Sequence, residues 1–296
     1  GLDALRVATQ ALNYTEHTHI YTQANTYIAT VLGPDQALNG NCTVHLIDHD
    51  EYFQLDTEKL LNKLTTNTVE FCDDHHLIIP VHLYGHPCDM ETIMEYARSF
   101  GCDVLEDCSQ AHGAKCDGKQ VGTFGDISTL SFYPAHHLTM GEGGAVFCKS
   151  SKLKRIIESL RDWGRDCWCE TGCDNTCKKR FNWKLGALPY GYDHKYTYSN
   201  LGYNLKVTDI QAAIGLAQFD RLENFIDKRR KNFFILKNQL ADLKKYFILP
   251  QESKGAKPSW FGFPITIRNR NIININNLIR FLEDNNIGTR LLFSGN

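Results

Sequence analysis

Two adjacent histidines, His136 and His137, lie in the stretch Ser131-Phe-Tyr-Pro-Ala-His-His-Leu-Thr-Met-Gly-Glu-Gly-Gly144, where an apolar run gives way to a turn-rich loop. Imidazoles titrate near neutral pH and can move protons. Gly141, Gly143 and Gly144 let the backbone approach a ligand where a side chain would block it. Asp107 closes another apolar run and adds a carboxylate. A second concentration of reactive groups follows, with Cys167, Cys169, Cys173 and Cys177 inside eleven residues. Isolated packing roles do not predict such crowding. Thiolates suit iron and zinc alike, and by spacing alone a structural Cys₄ zinc site using Cys173 ranks with an iron site. An ordinary pair of surface histidines is the plainer alternative at 136 and 137.

Elements must hold these groups in place. Apolar β-rich runs alternate with helical patterns through the first half, the order of a largely parallel sheet. Strands are predicted over Cys42–Ile47, Leu77–Leu83, Val104–Glu106 and Ser128–Tyr133. Between them lie helices over Thr57–Leu64 and Met90–Phe100, the latter with Asp89 as N-cap. In such sheets ligands collect beyond the carboxyl ends of strands, where Asp107 and His136 fall. After Gly144 come a short strand and a helix over 152–163, with Ile156, Ile157 and Leu160 on one face. Residues 164–203, rich in Gly, Asn, Tyr and Cys, form an irregular insertion long enough to be a functional loop. A capping box at Thr208 and Gln211 opens one long helix to about Leu243. A strand over Trp260–Ile267 and a helix over Asn276–Asp284 follow. The division is a large domain over 1–205 and a linking helix with an incomplete small domain over 206–296.

The composition is that of an ordinary soluble domain: 42% hydrophobic, 22% charged, net charge −2. No basic block points to nucleic acid, no uncharged apolar run is long enough to span a membrane, and no signal peptide is visible. Gly1 opens directly into an amphipathic pattern (Leu2, Leu5, Ala8, Leu12), and the chain reads as cut at both ends. Eleven cysteines in a chain that reads as cytoplasmic do not make disulfides the default. A dinucleotide dehydrogenase is excluded by its own motif: no G-x-G-x-x-G occurs, and Val146 stands where the last glycine would be.

Taken together, Leu105-Glu-Asp-Cys-Ser-Gln-Ala-His-Gly113, Gly122-Thr-Phe-Gly-Asp126, Ser131 to Gly144 and Gly202-Tyr-Asn-Leu205 resemble the DegT family of pyridoxal-phosphate sugar aminotransferases. The resemblance covers nearly the whole chain. It implies the fold of type I pyridoxal-phosphate transferases: an α/β protein with a large, mostly parallel-sheet domain and, here, a truncated C-terminal α/β domain. Ordinary members hold the cofactor through a lysine in a motif like S-F-Y-P-G-K-N, whose position here is His136. Imidazole has no primary amine and cannot form that Schiff base, but it can still move a proton.

The Lys-to-His change resembles the subgroup of CDP-4-dehydro-6-deoxyglucose 3-dehydrases. So do Arg161-Asp-Trp-Gly-Arg-Asp-Cys-Trp-Cys169, Gly172-Cys-Asp-Asn-Thr-Cys-Lys-Lys-Arg-Phe181, Gly191-Tyr-Asp-His-Lys-Tyr-Thr-Tyr198 and Pro258-Ser-Trp-Phe-Gly-Phe-Pro264. The resemblance implies pyridoxamine 5'-phosphate or pyridoxal 5'-phosphate as cofactor, with a [2Fe-2S] cluster on Cys167, Cys169 and Cys177. The remaining cluster cysteine of the subgroup falls at Ser109, so either Cys108, Ser109 or Cys173 completes the site or the cluster is weak or absent. Gln110 and the stretch Ala24-Asn-Thr-Tyr-Ile-Ala-Thr30 match ordinary aminotransferases better.

Carried over residue by residue, Asp107 pairs with the pyridine nitrogen, Gln110 reaches the phenolic oxygen and Ser131 the phosphate. Gly1 and Leu2 offer backbone N–H groups to that phosphate. Tyr27 stacks on the ring, Asn204 contacts the phosphate across a homodimer interface, and His136 is the catalytic base. The implied reaction removes the C3 hydroxyl of a CDP-4-keto-6-deoxyhexose in dideoxysugar and lipopolysaccharide biosynthesis. Its electrons come through the cluster from an NADH-dependent flavin and iron-sulfur reductase. Alternatives are a cluster-free dehydratase of the same fold, a zinc-stabilised non-catalytic relative, and an aminotransferase using another lysine such as Lys195.

Overall fold

In a computed structural model of the chain, residues 1–167, 169 and 172–293 are described. Trp168 of the Cys-rich motif and the terminal Asn296 lie outside them. The chain runs α1 (Leu2–Ala11), β1 (Thr18–Gln23), α2 (Ala29–Ala37), β2 (Cys42–Ile47), α3 (Thr57–Glu70), β3 (His75–Ile79), α4 (Met90–Phe100) and β4 (Asp103–Asp107). It continues through the short β5 (Lys115–Cys116) and β6 (Lys119–Gln120) to β7 (Ile127–Ser131), β8 (Gly144–Cys148) and α5 (Ser151–Arg161). Then come α6 (Asp209–Phe219), α7 (Leu222–Gln239), β9 (Phe247–Ile248), β10 (Ala256–Lys257), β11 (Thr266–Ile267) and α8 (Ile275–Asp284).

The main sheet has the order β2-β1-β3-β4-β7-β8. All its pairings are parallel except β7 with β8, which are antiparallel. One apolar cluster, around Leu60, Ile78, Met90 and Ile93, fills the space under α3 and α4. The other, around Leu5, Ala8, Ile20, Leu77 and Leu105, lies under α1. Glycine sets the spacing between α1 and α2: a Cβ on Gly33 would stand 3.0 Å from the Leu5 Cβ and 3.2 Å from the Leu2 carbonyl oxygen.

The expected strands and helices of the first half are present, with shifted ends. Asp89 caps α4 by accepting from the Thr92 N–H, and Thr208 and Gln211 form the capping box of α6. Strand β1 was not among the expected strands. Its sequence Thr-His-Ile-Tyr-Thr-Gln is polar at Thr18, His19, Thr22 and Gln23, yet every residue is buried. Hydrogen bonds within the sheet make this tolerable: the Thr22 hydroxyl donates to the Ile79 carbonyl, and the Gln23 amide exchanges two bonds with the Val81 backbone.

Two expectations at the C-terminal end are corrected. The single helix to Leu243 is broken between Phe219 and Leu222. Helix α6 docks on the loop after β7, where Gln218 bonds both backbone groups of Thr139. Helix α7 turns away to press Ile226 toward Gly113 and stack Phe233 on Trp260 at 3.8 Å. One straight rod cannot satisfy both surfaces. The stretch Trp260–Ile267 is strand only at Thr266–Ile267. Pro258 and Pro264 bracket the rest, which is held instead by Phe261 N–H donating to the Tyr84 carbonyl at 2.6 Å.

Candidate active site

Strands β4 and β7 are neighbours, so the residues at their carboxyl ends share one crevice with the N-terminus of α1. Asp107 is buried at the end of β4. Its carboxylate accepts from the Thr30 hydroxyl and from the Ser109 N–H, each at 3.0 Å. Among the described residues no lysine, arginine or histidine forms an ion pair with it. A buried carboxylate without a cation is costly, and a protonated ring nitrogen is the kind of partner that relieves it. Ser131 ends β7 beside Gly1: a Cβ on Gly1 would sit 3.2 Å from the Ser131 hydroxyl and 3.9 Å from that of Ser109. Gly1 caps α1 without a side-chain bond, and the first N–H groups of the helix, from Leu2 on, open beside these two hydroxyls. Hydroxyls at a helix N-terminus form an anion cradle, so the residues present fit a phosphorylated pyridine cofactor.

His136 stands above this floor. Its Nδ1 lies 3.1 Å from the Ser131 carbonyl oxygen, so Nδ1 carries the donated hydrogen and Nε2 is the basic nitrogen. Burial pushes its pKa below the ordinary value of 6.5, against the Ser131 bond and the charge of Asp107. His137 is turned away and bonds the Ser259 carbonyl through Nε2 at 2.8 Å. Burial, with Arg229 adding to it, holds His137 at about 3. His112 packs 5.5 Å from the His137 ring and 6.4 Å from that of His136. It is kept at about 4 by burial and by the charge of His136. Arg229 donates to the Trp260 and Phe261 carbonyls and turns its charge toward all three rings.

Gln110 accepts from the Tyr84 N–H through Oε1 at 3.0 Å. Tyr27 is 58% exposed, with its ring 5.7 Å from that of Phe293. Asn204 is exposed and bridges to Asp162 at the end of α5, apart from the Asp107, Ser131 and His136 group. Glu142 is an exposed loop charge. Lys195 pairs with Asp174 at 2.6 Å in the Cys-rich segment, away from His136. Three participants went unassigned in the sequence reading. Thr30 and His112 sat inside quoted motifs, whereas Arg229 lay in a basic helix run with nothing to single it out.

Glu106, next to Asp107, is fully buried and shapes the crevice from behind. It accepts from the N–H groups of Gly122, Phe124 and Gly125, each at 2.7 Å, and from His82 Nε2 at 3.2 Å. Burial alone would raise its pKa, but these donors hold it below the ordinary carboxylate value. This is why Gly122-Thr-Phe-Gly-Asp126 folds back onto the end of β4.

In the Cys-rich segment three thiols converge. Cys169 makes side-chain hydrogen bonds with Cys167 and Cys177; these and a bond with Thr176 outweigh its burial and bring it down to about 7. Cys173 is exposed. Cys108 belongs elsewhere: it is buried in a group with Glu106 and His82, and a Cβ on Gly122 would touch its sulfur at 3.2 Å. Ser109 faces Gly1. Three thiols with neither Cys108 nor Ser109 among them do not fit the expected four-ligand [2Fe-2S] site.

A family model described as the DegT/DnrJ/EryC1/StrS aminotransferase family matches residues 1–296. The chain is 55% identical over 219 residues to the lipopolysaccharide biosynthesis protein RfbH of Salmonella typhimurium, covering 74% of this chain and 50% of that protein. It is 52% identical over 219 residues to dTDP-4-dehydro-2,6-dideoxy-D-glucose 3-dehydratase of Saccharopolyspora spinosa, covering 74% and 47%. The chain thus spans about half the length of the curated relatives it matches. Its fold is that of E. coli GDP-4-keto-6-deoxy-D-mannose-3-dehydratase with bound hydrated PLP, at a TM-score of 0.83, 24% identity, and coverage of 100% of this chain and 72% of that one.

Proposed function

Because the chain belongs to the DegT/DnrJ/EryC1/StrS aminotransferase family along residues 1–296, we propose that it acts as a pyridoxamine-phosphate-dependent dehydratase. Its substrate is a nucleotide-linked 4-keto-6-deoxyhexose, which loses the C3 hydroxyl in deoxysugar and lipopolysaccharide biosynthesis. One observation carries this reading: an imidazole, oriented by the Ser131 carbonyl and kept neutral by burial, stands beside the buried carboxylate of Asp107 where the family places an amine. The name of the Saccharopolyspora relative supports the substrate class and that of the Salmonella relative the lipopolysaccharide setting.

When bound, the cofactor supplies an amine that condenses with the sugar ketone and a ring that accepts electron density. The chain's own residues do the rest. Asp107, held by Thr30 and the Ser109 N–H, keeps a proton on the ring nitrogen. The start of α1 at Gly1 and Leu2, together with Ser131, holds the phosphate. Gln110 meets the phenolic oxygen and Tyr27 covers the ring face. His136 Nε2 takes the proton from the carbon bearing the cofactor's amine, and the imidazolium so formed protonates the departing C3 hydroxyl. Asn204 is exposed and free to meet the phosphate of a second subunit in a homodimer.

The nucleotide in this reading is CDP, from the wording of the loop 131–144. No step is routed through a [2Fe-2S] cluster or a reductase, because the donor set does not fit one; an amino acid is then required to restore the amine. The test incubates the chain with pyridoxamine phosphate, glutamate and CDP-, dTDP- or GDP-4-keto-6-deoxyhexose, with no reductase present. Mass spectrometry should find the 3-deoxy product, carrying solvent deuterium at C3, and most of it from CDP. Cofactor binding without product from any of the three sugars would end the proposal.

A further inference from the structure

The segment 164–203 poses a packing problem that its apolar residues do not solve. Phe181, Tyr190, Tyr192, Tyr196 and Tyr198 are all exposed, whereas His194 is only 1% exposed. Among the described residues of the segment, the imidazole is therefore the most deeply placed large side chain. It is also oriented. Nδ1 lies 3.1 Å from the Asp166 carbonyl, so the hydrogen sits there, and Nε2 points its lone pair at the Cys177 sulfur 3.2 Å away. A backbone carbonyl fixing one ring nitrogen while the other faces soft donors is the usual second shell of a metal-binding histidine.

The thiols complete the arrangement. Cys167, Cys169 and His194 each present a ligand atom within 4.8 Å of the others, and the Cys169 thiol is hydrogen-bonded with those of Cys167 and Cys177. Ion pairs pin the two loops that carry these residues: Arg180 reaches Asp193 at 2.8 Å, and Lys195 reaches Asp174 at 2.6 Å. We propose that Cys167, Cys169, Cys177 and His194 form a tetrahedral Cys₃His site for one thiophilic divalent ion, zinc above all, which ties the loops of segment 164–203 to one another.

The spacing argues for one ion. Bond lengths of about 2.3 Å to sulfur and 2.0–2.1 Å to nitrogen put the corners of a zinc tetrahedron about 3.5–3.8 Å apart; Cys177 stands 3.2 Å from His194, and the ligand atoms of Cys167, Cys169 and His194 lie within 4.8 Å of one another. A two-iron rhomb must spread its two ligand pairs to opposite ends and would pull these four atoms apart. The fourth ligand of the expected cluster is not at hand, since Cys108 sits with Glu106 and His82 and Ser109 faces Gly1. This inference is independent of the reaction proposed above and survives if that reading fails.

Cobalt(II) and zinc are the probes. The full chain, stripped under reducing conditions and titrated with cobalt, should bind one ion with the intense visible bands of tetrahedral thiolate coordination, and zinc should displace it one for one. His194→Ala should weaken cobalt binding at least tenfold and change the bands. His194→Cys should restore tight binding with a four-thiolate spectrum, which guards against a folding defect in the alanine variant. Cys108→Ala should bind as the parent does. The proposal is overturned if Cys108→Ala loses the ion while His194→Ala keeps it. It is equally overturned if the purified chain holds two irons and two sulfides that survive His194→Ala.

Discussion

His136 directs Nδ1 to the carbonyl oxygen of Ser131 at 3.1 Å, and the same Ser131 places its hydroxyl beside Gly1. One residue at the end of β7 thus sets both the tautomer of the base and one wall of the anion cradle. Because the His136 ring bonds only backbone here, His136→Gln should leave the fold and cofactor affinity nearly intact. The dehydration rate should fall by about 10²–10⁴-fold, the range for loss of a general base. Single-turnover assays with pyridoxamine phosphate would check it, and an unchanged rate would remove His136 from the chemistry.

Asp107→Asn keeps the volume and the bond from Thr30 but removes the charge. If the buried carboxylate exists to hold a protonated ring nitrogen, the bound cofactor's absorption should shift and turnover should drop by at least about 10²-fold. Thr30→Val should move both in the same direction by less. Spectral titration at fixed pH separates weaker binding from altered electronics, and an identical spectrum in Asp107→Asn would argue against the pairing.

Acid should loosen the structure early. His112 and His86 are held at about 4 and His137 at about 3, each chiefly by burial. Below the ordinary 6.5 the unfolded chain takes up protons that the native histidines refuse, so stability falls as pH drops from about 6.5 toward 4. The slope is at most about 1.4 kcal/mol per pH unit for each histidine. Urea melts at pH 7.5, 6.5 and 5.5 should show falling midpoints, with a smaller fall in His137→Asn. A midpoint independent of pH over that range contradicts the assignment.

Glu106 gathers three backbone N–H groups and His82 onto one buried carboxylate. Glu106→Gln replaces one acceptor oxygen by a donor amide facing those N–H groups. The expected cost is about 3 kcal/mol, and the 122–125 loop should become open to hydrogen exchange. A loss under about 1 kcal/mol would mean that the loop is held by other contacts.

Gly85 has φ +82, and a Cβ there would fall 1.7 Å from the Ser259 carbonyl oxygen, the atom that His137 also bonds. Gly85→Ala should therefore detach the stretch 258–261 from the sheet. Limited proteolysis should cut within it, and relief of the burial that depresses His137 should raise its pKa in NMR titration, outweighing the lost bond to Ser259. An uncut variant with an unchanged His137 titration would show that the two segments are not coupled.

Much was legible from the sequence. Alternating apolar runs and capped helices announced a parallel α/β sheet, because period and caps are local signals. The loop from Ser131 to Gly144 and the motif around Asp107 stand out in the sequence by residue type, and both fall at carboxyl ends of neighbouring strands. The Cys-rich stretch stood out through spacing alone.

Other features were decided only when distant segments met. Strand β1 hides its polar residues by bonding them to β3 and its flanks, which no window of sequence displays. The break before α7 arises from two docking surfaces distant in the chain, Thr139 for α6 and Gly113 with Trp260 for α7. Above all, the partner of the three thiols is a matter of three-dimensional proximity. Adjacent positions on an extended strand point to opposite sides, so closeness in sequence could not place Cys108 at the cluster, while His194, seventeen residues beyond Cys177, is brought to it by the fold.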